Sequence, residues 1–497
     1  MLTVSSSLHD DVIDAQVRRQ TLSLRMVHIG FGAFFRAHQA WCTDKLVKQN
    51  RCDWGYCAVS LGQSSALEAL ARQDYLYTVT QCGSNTAKTE VMGVIHSTMS
   101  QAEQGIAAII QQLCDPLIAI ISLTVTEKGY FYSPAEGQLA TTHPDIAHDI
   151  RSPHQPRSLL GVLLASMVQR QKAGLPPLTL LSCDNVSHNG ARLKASLEQL
   201  AHHQQRPATE IRRLLNDYCF PSTMVDRIVP AMTEESRAWL AQRVGGEDAV
   251  GVICEPFFQW VIEDNFAAGR PQWELAGVTF TDEIDAWEEM KLRMLNGSHS
   301  FLAYIGWLAG YETIYDCMQD GELKRACQHF MCVEQAPTLS IEEVDLNEYS
   351  QQLLARFSNP DIKHKTRQIA SDGSLKIPQR WLQSLTWQAK HSGDYQLLAL
   401  GVAAWCRYLW GIDEQGNSNE VVDPHYPELK RCLQNGGSAA QHIVELVNNR
   451  QVFAAEFSQI PGVVACIQDY YLQLQQLGAK QTLNQVMAEI MQKKDSQ

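Results

Sequence analysis

Short apolar runs alternate with amphipathic stretches through the first half of the chain, and the pattern changes near residue 285. MVHIGFG (26–32) reads as a strand that runs out into glycines, and AFFRAHQAWCTDKLVKQ after it carries helical periodicity. WGYCAVSL (54–61) reads as a second strand, with SALEALARQ as the following helix, and LYTVTQ and VMGVIHS as shorter strands. PLIAIISLTVT (116–126) and LTLLSCDN (178–185) are continuous apolar runs bounded by turn chemistry, as in strands buried on both faces of a parallel sheet. This alternation predicts a doubly wound α/β sheet. From about Asp285 long helical windows take over, among them AWEEMKLRMLNGSHSFLAYIGWLAG, YSQQLLARFSN, LLALGVAAWCRYLWG and VACIQDYYLQLQQLGA. The expected organisation is an N-terminal Rossmann-type doubly wound domain over 1–284 and a mostly α-helical domain over 285–497, with no Gly/Ser linker and no internal repeat.

The 497 residues exceed what one core usually organises, which agrees with two domains. Hydrophobic residues at 45% and charged residues at 19% are ordinary for a globular protein. The 54 acidic against 41 basic residues give a formal charge of −13, which argues against a nucleic-acid footprint but leaves room for one basic pocket and an anionic ligand. Fourteen cysteines are scattered without a C-x-x-C, and Cys327 with Cys332 lacks the paired spacing of a zinc site, so reduced thiols are expected and no metal. The start, MLTVSSSLHDDVIDAQ, carries acids where a signal peptide needs basic residues. The longest apolar runs are about half of the ~20 residues a membrane span requires. The expectation is a soluble cytoplasmic protein, a monomer or small homo-oligomer, acting on a small molecule without membrane or nucleic acid.

Gly30-Phe31-Gly32 follows a strand and opens a helix, the context of a dinucleotide fingerprint. Small residues let the backbone approach a pyrophosphate, and a helix N-terminus supplies N–H donors. The third small residue is replaced by Phe35, so a tight turn of some other α/β protein stays open. Arg36 is placed to pair with phosphate. The second strand ends in Ser60-Leu61-Gly62-Gln63, with neither an acid for ribose hydroxyls nor a cation for a 2′-phosphate, which favours NAD over NADP only slightly. Ligands of open α/β sheets sit beyond the carboxyl ends of strands, and there the chain offers Glu127-Lys128-Gly129 and the run Asp184 to Asn189. Polar loops built on Asx turns account for them equally well.

Lys291, Asn296 and His299 stand among Met, Leu and Phe in EEMKLRMLNGSHSFLAY. At ~100° per residue they fall at about 0°, 140° and 80°, one broad sector. By spacing alone the plainer account stands ahead: Lys291 snorkels, Asn296-Gly297 breaks the helix and His299 caps it. The alternative is chemistry. Hydride transfer to a ketone leaves charge on oxygen, which calls for a proton and neutral donors. A desolvated lysine can supply the proton, Asn amides can hold the oxyanion, and a histidine can fix a hydroxyl.

The motifs GFGAFFRAH, SCDN, TMVDRIVP and K-x4-N-x2-H resemble, in order and spacing, the mannitol dehydrogenase family of polyol-specific long-chain dehydrogenases. EPFFQWVIEDNF, MKLRMLNGSHSFLAY, EQAPTLS and IASDGSLKIPQR are most similar to its fructuronate reductase branch, and the resemblance runs from about residue 25 into the C-terminal region. It implies a Rossmann-type domain and a helical domain, NAD as cofactor, no zinc, and interconversion of D-fructuronate and D-mannonate. It assigns the general acid/base to Lys291, the oxyanion contacts to Asn185 and Asn296, a substrate contact to His299, and to Asp226 a carboxylate that tunes Lys291 or binds a hydroxyl. The expected cofactor contacts are His28, Ile29, Gly30, Phe31, Gly32, Ala33, Phe34, Phe35, Arg36 and Glu127. Two departures stand out: Phe35 replaces a family histidine, and the ribose acid is missing.

A sugar-acid carboxylate needs a cation, and HKTRQIASDGSLKIPQR offers Arg367, Lys376 and Arg380, each of which could equally be a surface charge. Glu288, three residues before Lys291, reads more readily as a helix salt-bridge partner than as a proton relay. The alternatives are mannitol 2-dehydrogenase, arabinitol dehydrogenase or tagaturonate reductase activity, and behind them a non-catalytic NAD-binding regulator.

Overall fold

The computed structural model describes residues 8–9, 12–14, 19–62, 65–83, 86–133, 137–360, 364–435 and 437–495. The chain divides into two compact units, Met1–Asp285 and Ala286–Gln497.

The first unit is built on five parallel strands, β1 (Ser23–Ile29), β2 (Trp54–Ser60), β3 (Ile95–Ser100), β4 (Ile120–Leu123) and β5 (Thr179–Ser182). Their order is β5-β4-β1-β2-β3, with every neighbouring pair parallel. The chain therefore winds outward from β1 to β3 and returns on the other side of β1, which makes the β1/β4 ends the topological switch point. Side chains alternate between two buried faces. Val27, Ile29, Val59, Ile121 and Leu123 pack with Ile109, Leu160 and Met167 of the helices Gln101–Leu113 and Leu159–Lys172. Met26, Tyr56, Ala58, Ile120 and Leu181 pack on the opposite face with Phe35, Leu46, Trp260 and Trp273. Both faces being dry is why the strand sequences are nearly continuous apolar runs.

Two sequence expectations are refined. The segment 91–97 is not one strand. Thr86–Met92 pairs antiparallel with Tyr77–Gly83 in a second sheet, and the chain breaks at Gly93, whose N–H donates to Asp44 Oδ1 at 2.7 Å, before β3 begins. The helix after the glycines is also interrupted. Ala33–Ala37 and Gln39–Lys48 are separated at His38, whose ring stacks on Phe34, packs at a tilt against Phe258 and meets the Gln259 carbonyl at 3.0 Å. A third sheet comprises Thr223–Asp226, Gln259–Glu263 and Thr279–Thr281.

The second unit is helical. The helices Gly297–Leu308, Gln396–Tyr408 and Val463–Leu477 form its centre. Every residue of Gly297–Leu308 is buried except His299. A helix that is apolar all round belongs in a core, so a single histidine on an unsealed flank stands out. The stretch leading into it is α-helical over Ile284–Met290, π-helical over Lys291–Asn296, and α-helical again from Gly297. Two further π-helical turns, Phe330–Gln335 and Pro378–Leu382, pack against it. Among the described residues no helix is long and apolar enough to cross a membrane.

Candidate active site

The glycine turn lies at the switch point. Gly30 has φ +105°, and a Cβ there would collide with the Thr124 carbonyl at the end of β4, so only glycine fits. Gly32 is the N-cap of Ala33–Ala37, and the space where its Cβ would stand is open except for Gly30 O at 3.9 Å. A pinched turn, an approachable glycine and the unsatisfied N–H groups of a helix start suit a pyrophosphate.

Below the turn the structure places residues that were grouped with the cofactor loop. His28, Ile29 and Phe35 are interior side chains. The His28 ring stacks on Phe35 with centroids 3.5 Å apart. Its Nε2 meets Gly30 O at 3.0 Å and Thr124 Oγ1 at 2.8 Å, and its Nδ1 meets Ser122 Oγ at 2.8 Å. The Gly30 carbonyl can only accept, so Nε2 carries the hydrogen and Nδ1 accepts from Ser122. Burial drives the His28 pKa down to about 3, which keeps the ring neutral. These three side chains brace the turn from beneath; Phe31, Gly32, Ala33 and Phe34 are its accessible residues. Arg36 is turned inward as well. Its Nε donates to Gly32 O at 3.2 Å and its Nη1 to Val250 O, so that two of its five N–H donors are spent on carbonyls. The sequence could not foresee this, because Val250 is 214 residues away.

The loop after β4 is strained and clamped. Thr126 and Phe131 adopt positive φ of 66° and 48° around the short turn Glu127–Tyr130, which presents Glu127 to solvent. Asp184 holds this loop: Oδ1 accepts from the N–H groups of Val125 and Thr126 at 2.8 and 2.7 Å, and Oδ2 accepts from the Tyr130 hydroxyl at 2.8 Å. Burial raises its pKa, partly offset by those hydrogen bonds. Asn185, next in the chain, is exposed. Asn189 is buried; its Nδ2 donates to Asp184 O and Thr223 O, and its Oδ1 accepts from Thr223 N, tying the end of β5 to the strand that finishes at the buried Asp226. Arg227, beside Asp226, donates to Ala37 O at 2.6 Å and Glu255 O at 3.1 Å. Asp184 and Asn189 bound the polar run expected beyond the carboxyl end of this strand, whereas Tyr130 was not singled out from sequence. Gln63, at the ribose end of the reading, lies outside the described residues.

In the second unit Lys291 is buried at 7% exposure within the π turn, and Asn296 at its end is half-buried. Turns closed by i→i+5 bonds bring residues five apart toward one column, so Lys291 and Asn296 lie closer to a common face than an ideal α-helix allows. Side chains take up carbonyls around the irregularity. The Ser298 hydroxyl donates to Met294 O and, at 3.1 Å, to Leu295 O; Arg380 Nη1 donates to Asn296 O at 3.1 Å; Trp381 Nε1 donates to Gly297 O at 3.0 Å.

His299 stacks on Phe357 at 5.0 Å and lies 5.5 Å from the ring of His364. Its pKa falls well below the ordinary value, first through burial and then through the basic groups His364, Arg380, Arg356 and Lys376. It is neutral near pH 7. Of the three candidate cations, Arg380 is brought to Asn296 and also donates to Ser300 Oγ at 2.8 Å; burial lowers its pKa to about 10, so it stays charged. Lys376 instead donates to Ile369 O and Ser371 O at 3.2 and 2.5 Å, and Arg367 is exposed. His364 and Ser300 are additions that spacing did not reveal.

The family model described as the mannitol dehydrogenase Rossmann domain matches residues 24–275, and that of the mannitol dehydrogenase C-terminal domain matches 283–475. The chain is 45% identical to the uncharacterised oxidoreductase YdfI of Escherichia coli (strain K12), over 93% of this chain and 95% of that one. It is 42% identical to D-mannonate oxidoreductase of the same organism, again over 93% and 95%. Its structure is similar to that of Pseudomonas fluorescens mannitol 2-dehydrogenase in ternary complex with NAD and D-mannitol, with 34% identity and a TM-score of 0.82 over 97% of this chain and 98% of the other.

Proposed function

The chain belongs to the mannitol dehydrogenase family, and on that premise we propose that this NAD-dependent dehydrogenase of polyols and sugar acids interconverts D-fructuronate and D-mannonate. The observation that carries the reading is the polar set Lys291, Asn296 and His299 on a helical stretch otherwise packed as core, with a π turn at its centre. The Gly30–Gly32 turn would hold NADH, which would supply the hydride for the keto carbon. The residues of this chain do the rest. Lys291 gives a proton to the carbonyl oxygen as the alcohol forms and takes it back in the reverse direction. The amides of Asn185 and Asn296 hold that oxygen without titrating. His299, neutral near pH 7, accepts from or donates to a substrate hydroxyl without competing as the proton source. Asp226 is assigned a further hydroxyl of the substrate. Arg380 serves the carboxylate, and this role, with the 42% identity to D-mannonate oxidoreductase, favours a sugar acid. A neutral polyol is the second reading, supported by the likeness to mannitol 2-dehydrogenase.

Lys291→Ala lowers turnover by about 10²–10⁴-fold, the usual worth of general acid–base catalysis, while NADH binding, read by fluorescence titration, is retained. Turnover close to that of the unmodified enzyme would remove Lys291 from the proton-transfer role. Comparing kcat/KM on D-fructuronate, D-tagaturonate, D-fructose and D-arabinitol identifies the substrate.

A further inference from the structure

Arg380, His299 and His364 carry hydrogen-bonding capacity that no described residue takes up. Arg380 is fixed through one nitrogen, with Nη1 on Asn296 O and Ser300 Oγ. Its Nε and Nη2 donate to nothing among the described residues, and no described carboxylate pairs with it. That free edge is the one that grips a carboxylate through two parallel bonds. Neither His299 nor His364 makes a hydrogen bond among the described residues, although the two rings lie 5.5 Å apart and both are half-buried. Such groups are normally satisfied in folded proteins.

The backbone fixes where the His364 ring can go. Its carbonyl accepts from Ile314 N at 3.0 Å, Lys365 bridges to Thr313, and Thr366 N donates to Glu312 O at 3.0 Å. Phe357 closes the other side of His299. Lys376 donates to the carbonyls of Ile369 and Ser371 and adds positive charge to the neighbourhood of His299. His299 thus lies 5.5 Å from the His364 ring and within electrostatic reach of Arg380, and this guanidinium edge with two imidazoles is a set that an anion with hydroxyl neighbours would complete.

We propose that His364 is a specificity-determining residue: with Arg380 it binds the carboxylate of the sugar acid, while His299 beside it holds a hydroxyl. The proposal rests on the sugar-acid reading above and adds to it the residue that separates acids from neutral ketoses. Burial and the charge of Arg356 keep the free imidazole neutral, so it meets the carboxylate as an N–H donor and leaves the charge to Arg380.

The test compares His364→Ala and His364→Gln with the unmodified enzyme on D-fructuronate and on D-fructose, with NADH. In His364→Ala, KM for fructuronate rises at least tenfold, kcat changes less, and kcat/KM for fructose stays within about twofold. His364→Gln, which keeps a donor, recovers part of the loss. It carries the same comparison should the alanine variant lose NADH binding. An equal fall on both substrates would make His364 a support for His299 and overturn the proposal, as would an unchanged KM for fructuronate. If the unmodified enzyme reduces fructose but no uronate, the sugar-acid reading falls and takes this proposal with it. If it reduces the uronate and His364→Ala is silent, only the assignment of His364 falls.

Discussion

Asp184 accepts three hydrogen bonds from the 125–130 loop while lying almost wholly out of water, so each bond offsets part of the cost of burying a carboxylate. Asn in its place has one acceptor oxygen and an amide that donates where the loop also donates. Asp184→Asn is therefore expected to loosen the loop that presents Glu127, raising KM for NADH about tenfold and lowering stability by about 1–3 kcal/mol, as read from a urea midpoint. A variant with an unchanged KM for NADH would mean that this loop does not face the cofactor. At this scale the sequence was legible in part. SCDN marked a polar strand end, but its acid is defined by partners 58 and 59 residues away, and no local pattern encodes those. His28 and Phe35 illustrate the converse: next to a glycine turn they read as ligand contacts, yet the pairing of β1 with β4 sets His28 beside Ser122 and turns the ring inward.

At the scale of elements, the π turns change what periodicity means. Lys291 and Asn296, at about 140° on an ideal helix, come toward one column when the turn is closed by i→i+5 bonds. Their relation was thus understated by the α-helical wheel. A neighbouring π turn carries the buried Glu334, whose Oε1 and Oε2 accept from the N–H groups of Leu397 and Leu398 at 2.8 and 2.7 Å and so cap the central helix Gln396–Tyr408. Burial outweighs those two bonds and pushes its pKa up to about 8. A carboxyl whose folded pKa lies above its unfolded value gives stability that is complete below about pH 4.5 and is lost as pH rises to about 8. Urea midpoints measured across that interval should fall with pH in the unmodified protein, and the Glu334→Gln profile should be flatter. Parallel profiles would show that Glu334 is not the group responsible.

For the whole molecule, the fourteen cysteines are free thiols, and seven of them are buried in one unit or the other, where burial holds their pKa values up. Iodoacetamide at neutral pH is accordingly expected to leave kcat unchanged; loss of activity proportional to a single alkylation would reveal a thiol at the site. The fold class was legible because strands buried on both faces must be continuous apolar runs and a buried helix must be apolar all round; these are local consequences of being dry. The family was legible because several motifs recur in order, and with the family come the cofactor and the type of reaction. Tertiary structure alone decided which residues of the glycine turn face inward, that Arg36 spends two nitrogens on carbonyls, and that of Arg367, Lys376 and Arg380 it is Arg380 that lies beside Asn296, with Nε and Nη2 unpaired among the described residues. Those outcomes depend on partners far away in sequence, and periodicity and motif spacing carry information only about neighbours.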